Sequence, residues 1–576
     1  MSEDNDNSAP ATFHDADDWA TYCGQAGKPF DASSMYKMRL SSNTPNSLKA
    51  QPNTGRPVRK KRGELIMDNV WRFGSDKVVA PENHAPWGPP FPSNNFADRI
   101  HRFHWLRDLV ANAELGERRA RSLTVSWVRA FGKWDDFAWR IEVTSERVIH
   151  WLESADIVIN PLNPDTRELV LECLGKQVKH LSLNTEATLS QEGRFRLGVA
   201  LALAGACLPD GDEYLNSGLA VLEKECDTQI LKDGGHISRS PQRLAEYLID
   251  LNSVEDLLIR TGHDAPAFLV KVQARMQTML KFLTLPDGGL LVAHGGSDGW
   301  DGLATTALAP YGSEGSRFSF AQQTGFHKVE AGRLRVYLDT GAPNSSKGTE
   351  ISAASCLSLT VCDGEHRLIT SIGAYSDLDP AWRFASRQTA ASSVLELNEE
   401  SSAVFARNDE TGLMELTGPV GTSVRRLEEG DEYLLEGQHS GWREKYGLVY
   451  RRRLYVAKSG ARITGEDALY RPLSEFNPPG ETPVPYAVRF QLHPNVSVEP
   501  GDDNKTVLIQ ADGSDRIWRL RSELPLDMTR SIYMAGGGRR AAVQILIRGE
   551  ADPAGDGAAP PNRVRWALSL REAKEK

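Results

Sequence analysis

Ser240-Pro241-Gln242-Arg243-Leu244-Ala245-Glu246-Tyr247-Leu248-Ile249-Asp250-Leu251 decides the class of the first half of the chain. Ser240 is suited to cap a helix and Pro241 to occupy its first position, where the missing N–H costs nothing. Leu244, Tyr247, Leu248, Leu251 and Leu258 then return at the spacing of a single helical face. The same period extends from about Phe96 to Leu308 and predicts helices near 97–111, 117–131, 144–155, 164–184, 193–207, 212–231, 241–261 and 264–284. Turns as short as Pro209-Asp210-Gly211-Asp212 join them. Helices linked this closely bury one face each against their neighbours, so the pattern predicts a helical array.

Immediately upstream, Gln229-Ile230-Leu231-Lys232-Asp233-Gly234-Gly235-His236-Ile237-Ser238-Arg239 places an imidazole and a guanidinium on a glycine-bearing loop between two helices. Such a loop is fixed at both ends and can carry site chemistry, or it can be a plain helix connection. Downstream of about Ser319 the period changes to two. Leu334-Arg335-Val336-Tyr337-Leu338-Asp339, Cys356-Leu357-Ser358-Leu359-Thr360-Val361 and Gly447-Leu448-Val449-Tyr450-Arg451-Arg452-Arg453-Leu454-Tyr455-Val456 have strand length and strand composition. Numerous strands without intervening helices predict stacked antiparallel sheets. The expected organisation is a poorly ordered leader over 1–70, a helical domain over 71–310 and a β-domain over 311–576, with a linker at Pro310-Tyr311-Gly312-Ser313-Glu314-Gly315-Ser316.

At 576 residues the chain exceeds what a single core holds, so two large domains are expected. The formal charge of −10, from 67 basic and 77 acidic residues, disfavours a general nucleic-acid binder. The run Arg59-Lys60-Lys61-Arg62 is a local exception that could meet an anion or an RNA, or remain a solvated leader. The six cysteines include no C-x-x-C pair, which suits buried thiols in a reducing compartment. The acidic polar start lacks the basic and apolar regions of a secretory signal, and no long apolar run occurs, so a cytoplasmic location without membrane contact is expected. Phosphate-loop, nucleophile-elbow and metal-ligating motifs are missing; no cofactor and no metal are expected.

The strings Trp105-Leu106-Arg107-Asp108-Leu109, Gln229 to Pro241, His366 to Ala374, Gly447 to Tyr455, Gly465-Glu466-Asp467 and Phe490-Gln491-Leu492-His493-Pro494, in this order, resemble a divergent branch of the heparinase II/III-like family over most of the chain from about Trp71. The resemblance implies an incomplete (α/α) toroid followed by an antiparallel β-sandwich. It also implies a polysaccharide lyase acting on an acidic, uronate-containing glycan by β-elimination in a cleft between the two. That reaction needs a group to neutralise the carboxylate, a base for the C5 proton and an acid for the departing oxygen.

On this reading His236 is the candidate proton-transfer group, Arg239 the carboxylate clamp and His439 a second candidate acid or base, with Arg194, Arg243 and Tyr247 as candidate substrate contacts. Each has a plainer reading. His236 could satisfy a helix end, Tyr247 belongs to the apolar stripe of its helix, and His439 lies at a strand turn where polar residues face water. His294, His366 and His493 are weaker candidates. Against the family pattern, Ala353 and Ser392 stand where imidazoles are expected, Glu192-Gly193-Arg194 replaces an Asn-His helix, and Arg243-Leu244 replaces a Tyr-His pair. A methyl group accepts no proton. The competing class is therefore a catalytically degenerate glycan-binding or scaffold protein that retains the fold. An acidic polysaccharide is the expected partner, nucleic acid and membrane are not, and homo-oligomerisation is left open.

Overall fold

The structure, a computed structural model, describes residues 32–41, 44–53, 55–81, 85–87, 91–312, 318–342, 349–375, 378, 380–408, 413–475 and 478–571. Most of the expected linker, and Cys23, lie outside them. The chain forms an N-terminal helical region of the α/α-toroid type followed by antiparallel sheets of a β-sandwich. Two compact units can be separated. The first comprises 1–227, 250–269 and 377–379; the second comprises 228–249, 270–376 and 380–576.

The helices of the first unit follow the apolar period closely. Ala113–Phe131, Ile141–Glu153, Pro164–Ser182, Gln191–Cys207 and Asp212–Gln229 match expected segments to within a few residues. Asn163 caps Pro164–Ser182 by accepting from Thr166 N, with Pro164 at the first position, and Ser190 caps Gln191–Cys207 through Gly193 N. The single helix expected over 97–111 is two, Asn94–Arg102 and Leu106–Val110, because Phe103 takes a left-handed φ of 62°. Phe103, Trp127 and Trp151 are fully buried and meet edge-to-face at centroid separations such as 5.5 Å for Trp127–Trp151, and the buried Trp105 lies tilted against Phe103 at 4.8 Å. The expected leader is structured in part: helices Ser34–Leu40 and Lys60–Met67 and the strand Val70–Phe73 fall within 1–70 or at its edge. The apolar period could not show this, since residues 49–53 and 55–59 are held by polar contacts. Lys49 N donates to Cys207 O, and Gln51 bonds Glu153 O and Asp156 N.

The second unit holds two large antiparallel sheets. One runs Ser423–Glu429, Glu432–His439, Val449–Ala457, Arg462–Tyr470, Arg563–Leu570, Ile517–Ser522, Thr506–Ala511, Val496–Pro500. The other runs Leu526–Tyr533, Arg540–Ala551, Val484–Leu492, His366–Thr370, Leu359–Asp363, Leu334–Asp339, Phe326–Ala331, Phe320–Ala321, with Leu395–Leu397 paired to Val484–Leu492. Leu334, Val336, Leu338, Leu454, Val488, Phe490, Ile545 and Leu568 belong to the apolar layer that both sheets share. Within it lies one ionic knot. Arg452 and Asp467, both fully shielded, are paired, and Asp467 also accepts from Tyr450 and Trp566. The loop from Gln229 belongs to this unit, and so does the helix start at Ser240-Pro241.

Candidate functional site

The loop that carries His236 is a closed turn. Leu231 N donates to Gly235 O, Gly234 N to Leu231 O and Ile237 N to Gln229 O, so Ile230 and His236 face each other as a β-bridge. Gly234 has a φ of 93°, and a side chain there would run into the Arg275 carbonyl; one at Gly235 would strike Thr324. The turn aims His236 inward. Its ring is 4% exposed, with Nδ1 2.7 Å from Ser238 Oγ and accepting from Ser238 N at 3.0 Å. That leaves Nε2 to donate to Gln229 Oε1 at 3.2 Å. Tyr247 is fully buried, donates to the same Gln229 oxygen at 3.0 Å and packs edge-on against the imidazole at 4.9 Å. The structure thus brings His236 and Tyr247 together, but through a buried amide.

Arg239 leaves the turn with a φ of 64°, and its guanidinium is 2% exposed. Nε donates to Thr324 O at 2.6 Å, Nη1 to Gly341 O at 2.8 Å and Nη2 to Gly325 O at 3.1 Å, while Nη2 also pairs with Asp339 Oδ1. Gly325 and Gly341 are needed there, because the guanidinium lies on the backbone of Gly341 and Gly325 has a φ of 76°. Asp339 is the centre of the arrangement. Ser355 Oγ donates to its Oδ2 at 2.8 Å, and His294 Nε2 lies 3.1 Å from the same oxygen, off the line of a good hydrogen bond. Burial alone would raise the Asp339 carboxyl, but the paired Arg239 guanidinium above all brings it down to about 2. Burial, then Arg239, lowers His294, against the pull of Asp339. His294 is therefore read as neutral, with Nδ1 accepting from Ala353 N at 3.2 Å.

A clamp for a substrate carboxylate must keep donors free, and a general acid or base must reach the reacting atom. In the structure Arg239 and His236 are instead engaged by the protein's own groups. Ala353 and Ser392, at the expected imidazole positions, are 4% and 2% exposed. His439 is fully buried between Trp442 and Tyr450, at 5.2 and 5.3 Å, rather than facing water; burial pushes it down to about 3, so it stays neutral near pH 7.

Arg243 lies 3.9 Å from Glu246 and over the Tyr247 ring. In the first unit, Arg194 binds Glu225 at 2.8 Å and Leu189 O at 2.9 Å, and its neighbour Arg196 pairs with Asp250. Asp250 also takes Arg56, whose Nε is 3.5 Å from Glu153. Asp339, Ser355 and Gln229 were missed in the sequence, where Asp339 reads only as the acidic end of a strand. Among the described residues no group of three or more His, Cys, Asp and Glu is arranged to hold a metal, and no helix is long and apolar enough to cross a membrane.

Residues 313–567 match the family described as Heparinase II/III-like, C-terminal. A curated relative, FtsZ-localized protein C of Caulobacter vibrioides (strain NA1000 / CB15N), is 29% identical over 562 residues, covering 96% of this chain and 95% of its own. Among solved structures, Heparinase III aligns with a TM-score of 0.68 at 13% identity over 93% of this chain and 88% of its own. Heparan sulfate lyase HepC from Pedobacter heparinus aligns with a TM-score of 0.56 at 14% identity over 94% and 88%. These likenesses establish a common fold.

Proposed function

Since residues 313–567 match the Heparinase II/III-like C-terminal family and the chain shares the fold of Heparinase III, we propose that it keeps the lyase fold without the lyase chemistry and acts as a binding or scaffold protein. The fold points to the polysaccharide lyase class. What supports loss of the reaction is one observation: the Arg239 guanidinium, the expected clamp for a uronate carboxylate, is engaged by three backbone carbonyls and Asp339. His236 fixed on Gln229, Ala353 in place of an imidazole and a shielded His439 agree with it.

The relative named FtsZ-localized protein C supports a role with FtsZ, on the strength of likeness over 96% of the chain. A cytoplasmic location is part of this proposal, and the buried free thiols Cys173, Cys207, Cys226, Cys356 and Cys362 suit a reducing compartment. The test is direct binding of the purified chain to FtsZ from the same organism, together with a screen of acidic glycans for the ultraviolet absorbance of an unsaturated uronate. Binding to FtsZ without product supports the proposal. Product that disappears in His236→Ala would overturn it in favour of the second reading, β-elimination on an acidic glycan, which the alignment with Heparinase III over 93% of the chain favours.

A further inference from the structure

Arg107, on the short helix Leu106–Val110, carries a half-buried charge whose Nε and Nη1 receive no hydrogen-bond partner from the described residues. Its Nε and Nη1 are shielded from solvent and have no partner, although the residue as a whole keeps part of its surface open. Two carboxylates lie nearby, and both are occupied. Asp108 accepts from Arg59 N at 2.8 Å through Oδ1 and pairs with Arg62 through Oδ2. Glu153 holds His150 at 3.1 Å through Oε2 and faces Arg56 at 3.5 Å through Oε1.

Of the other neighbours, Arg62 and Arg59 are cationic and His104 is neutral. Arg62 Nη1 is 3.4 Å from His104 Nε2, and Arg59, Lys60, Lys61 and Arg62 enter together at the start of the helix Lys60–Met67. Burial lowers Arg107 below its usual range; Glu153 and Asp108 oppose this, and Arg62 and Arg59 add to it. His104 is held well below its usual value by burial first, then by Arg62, Arg99, His150 and Arg107.

A guanidinium does not shed its proton at accessible pH, and an unpaired one in a partly closed setting is costly. An anion from outside the chain would supply both the missing acceptors and the opposing charge. We propose that Arg107, with Arg62 and His104 beside it, is a binding site for a compact oxyanion of the phosphate class. Several acceptor oxygens and more than one negative charge fit a place where a planar multi-donor cation stands among further cations. A monovalent halide would answer only part of that excess. The site lies wholly within the first unit and is independent of the reading given to Arg239.

The experiment uses the full chain, with inorganic phosphate as probe against chloride at matched ionic strength. Phosphate is expected to raise the Tm of the natural protein saturably. Arg107→Met is expected to lose that rise while keeping, or exceeding, the natural Tm in chloride, because it removes an unpaired half-buried charge. Arg107→Lys, which keeps a cation but loses the planar fork, is expected to weaken phosphate affinity by roughly tenfold or more in calorimetric titration; it decides the matter if Arg107→Met fails to fold. Equal Tm in phosphate and chloride, or an unchanged phosphate affinity in Arg107→Lys, would overturn the assignment.

Discussion

Arg239 and Asp339, 100 residues apart in the chain, form a buried ion pair in which each is 2% exposed at its side chain. Asp339→Asn leaves the guanidinium without its charge partner. It is expected to cost about 3–5 kcal/mol, the usual penalty for breaking a buried pair on one side, measured by chemical denaturation of the β-rich unit's fluorescence. The natural carboxylate also sets an acid limit. Its folded value of about 2 lies below an unfolded value of roughly 4. The stabilisation is therefore complete above that unfolded value and lost as pH falls towards the folded one. A Tm–pH curve for Asp339→Asn should be flatter across that window.

His439 behaves in the opposite sense to a charged partner. The folded imidazole titrates at about 3 and the unfolded one near ~6.5, so below the latter only the unfolded chain takes up the proton. Stability then falls by up to ~1.4 kcal/mol per pH unit. His439→Phe fills the space between Trp442 and Tyr450 without a titrating group. It is expected to change stability at neutral pH by no more than about 1 kcal/mol, the worth of the Gly441 N–H bond it removes, and to lessen the loss between pH ~6 and ~4.

Arg56 bridges Glu153 and Asp250 from an extended segment. Arg56→Ala leaves both carboxylates short of a partner and should destabilise the helical unit by about 3 kcal/mol or more. Hydrogen exchange should accelerate over 49–53 and 55–59 before it does so in the helix Ile141–Glu153. Unchanged exchange would show that the flanking bonds, from Gln51 to Glu153 O and from Asn53 to Asp256, suffice.

Gly325→Ala adds a methyl at a φ of 76°, 2.6 Å from Gly341 Cα. A loss of about 1–3 kcal/mol is expected from strain and displacement together. The same exchange at Gly288, which also has positive φ but meets nothing within 4 Å, isolates the strain alone.

Local pattern revealed the elements, and tertiary pairing decided their use. The stripe through Leu244, Tyr247, Leu248 and Leu251 identified a helix whose inner face is buried, and Ser240-Pro241 marked its start, with Leu244 N bonded to Ser240 O. Strand segments such as Leu334–Asp339 were equally legible from their period. The break at Phe103 was not, because a left-handed φ at an aromatic residue has no sequence signature comparable to glycine. Nor was the inward turn of His236 and Arg239. Gly234-Gly235 announced a close approach, but what approaches is the chain itself at Arg275 and Thr324. A loop's residue types do not say whether its donors meet solvent or carbonyls contributed from distant positions.

The bond from Ala353 N to His294 Nδ1 makes Ala353 hard to exchange for an imidazole. Putting an imidazole back at 353 would introduce a ring where the methyl is already enclosed, next to a histidine held by that residue's own amide and by Asp339. Arg239 would still answer to Asp339. An imidazole at 353 and an open Arg239 would thus take several coordinated exchanges, each unfavourable alone, so the packing here works as a ratchet against single substitutions.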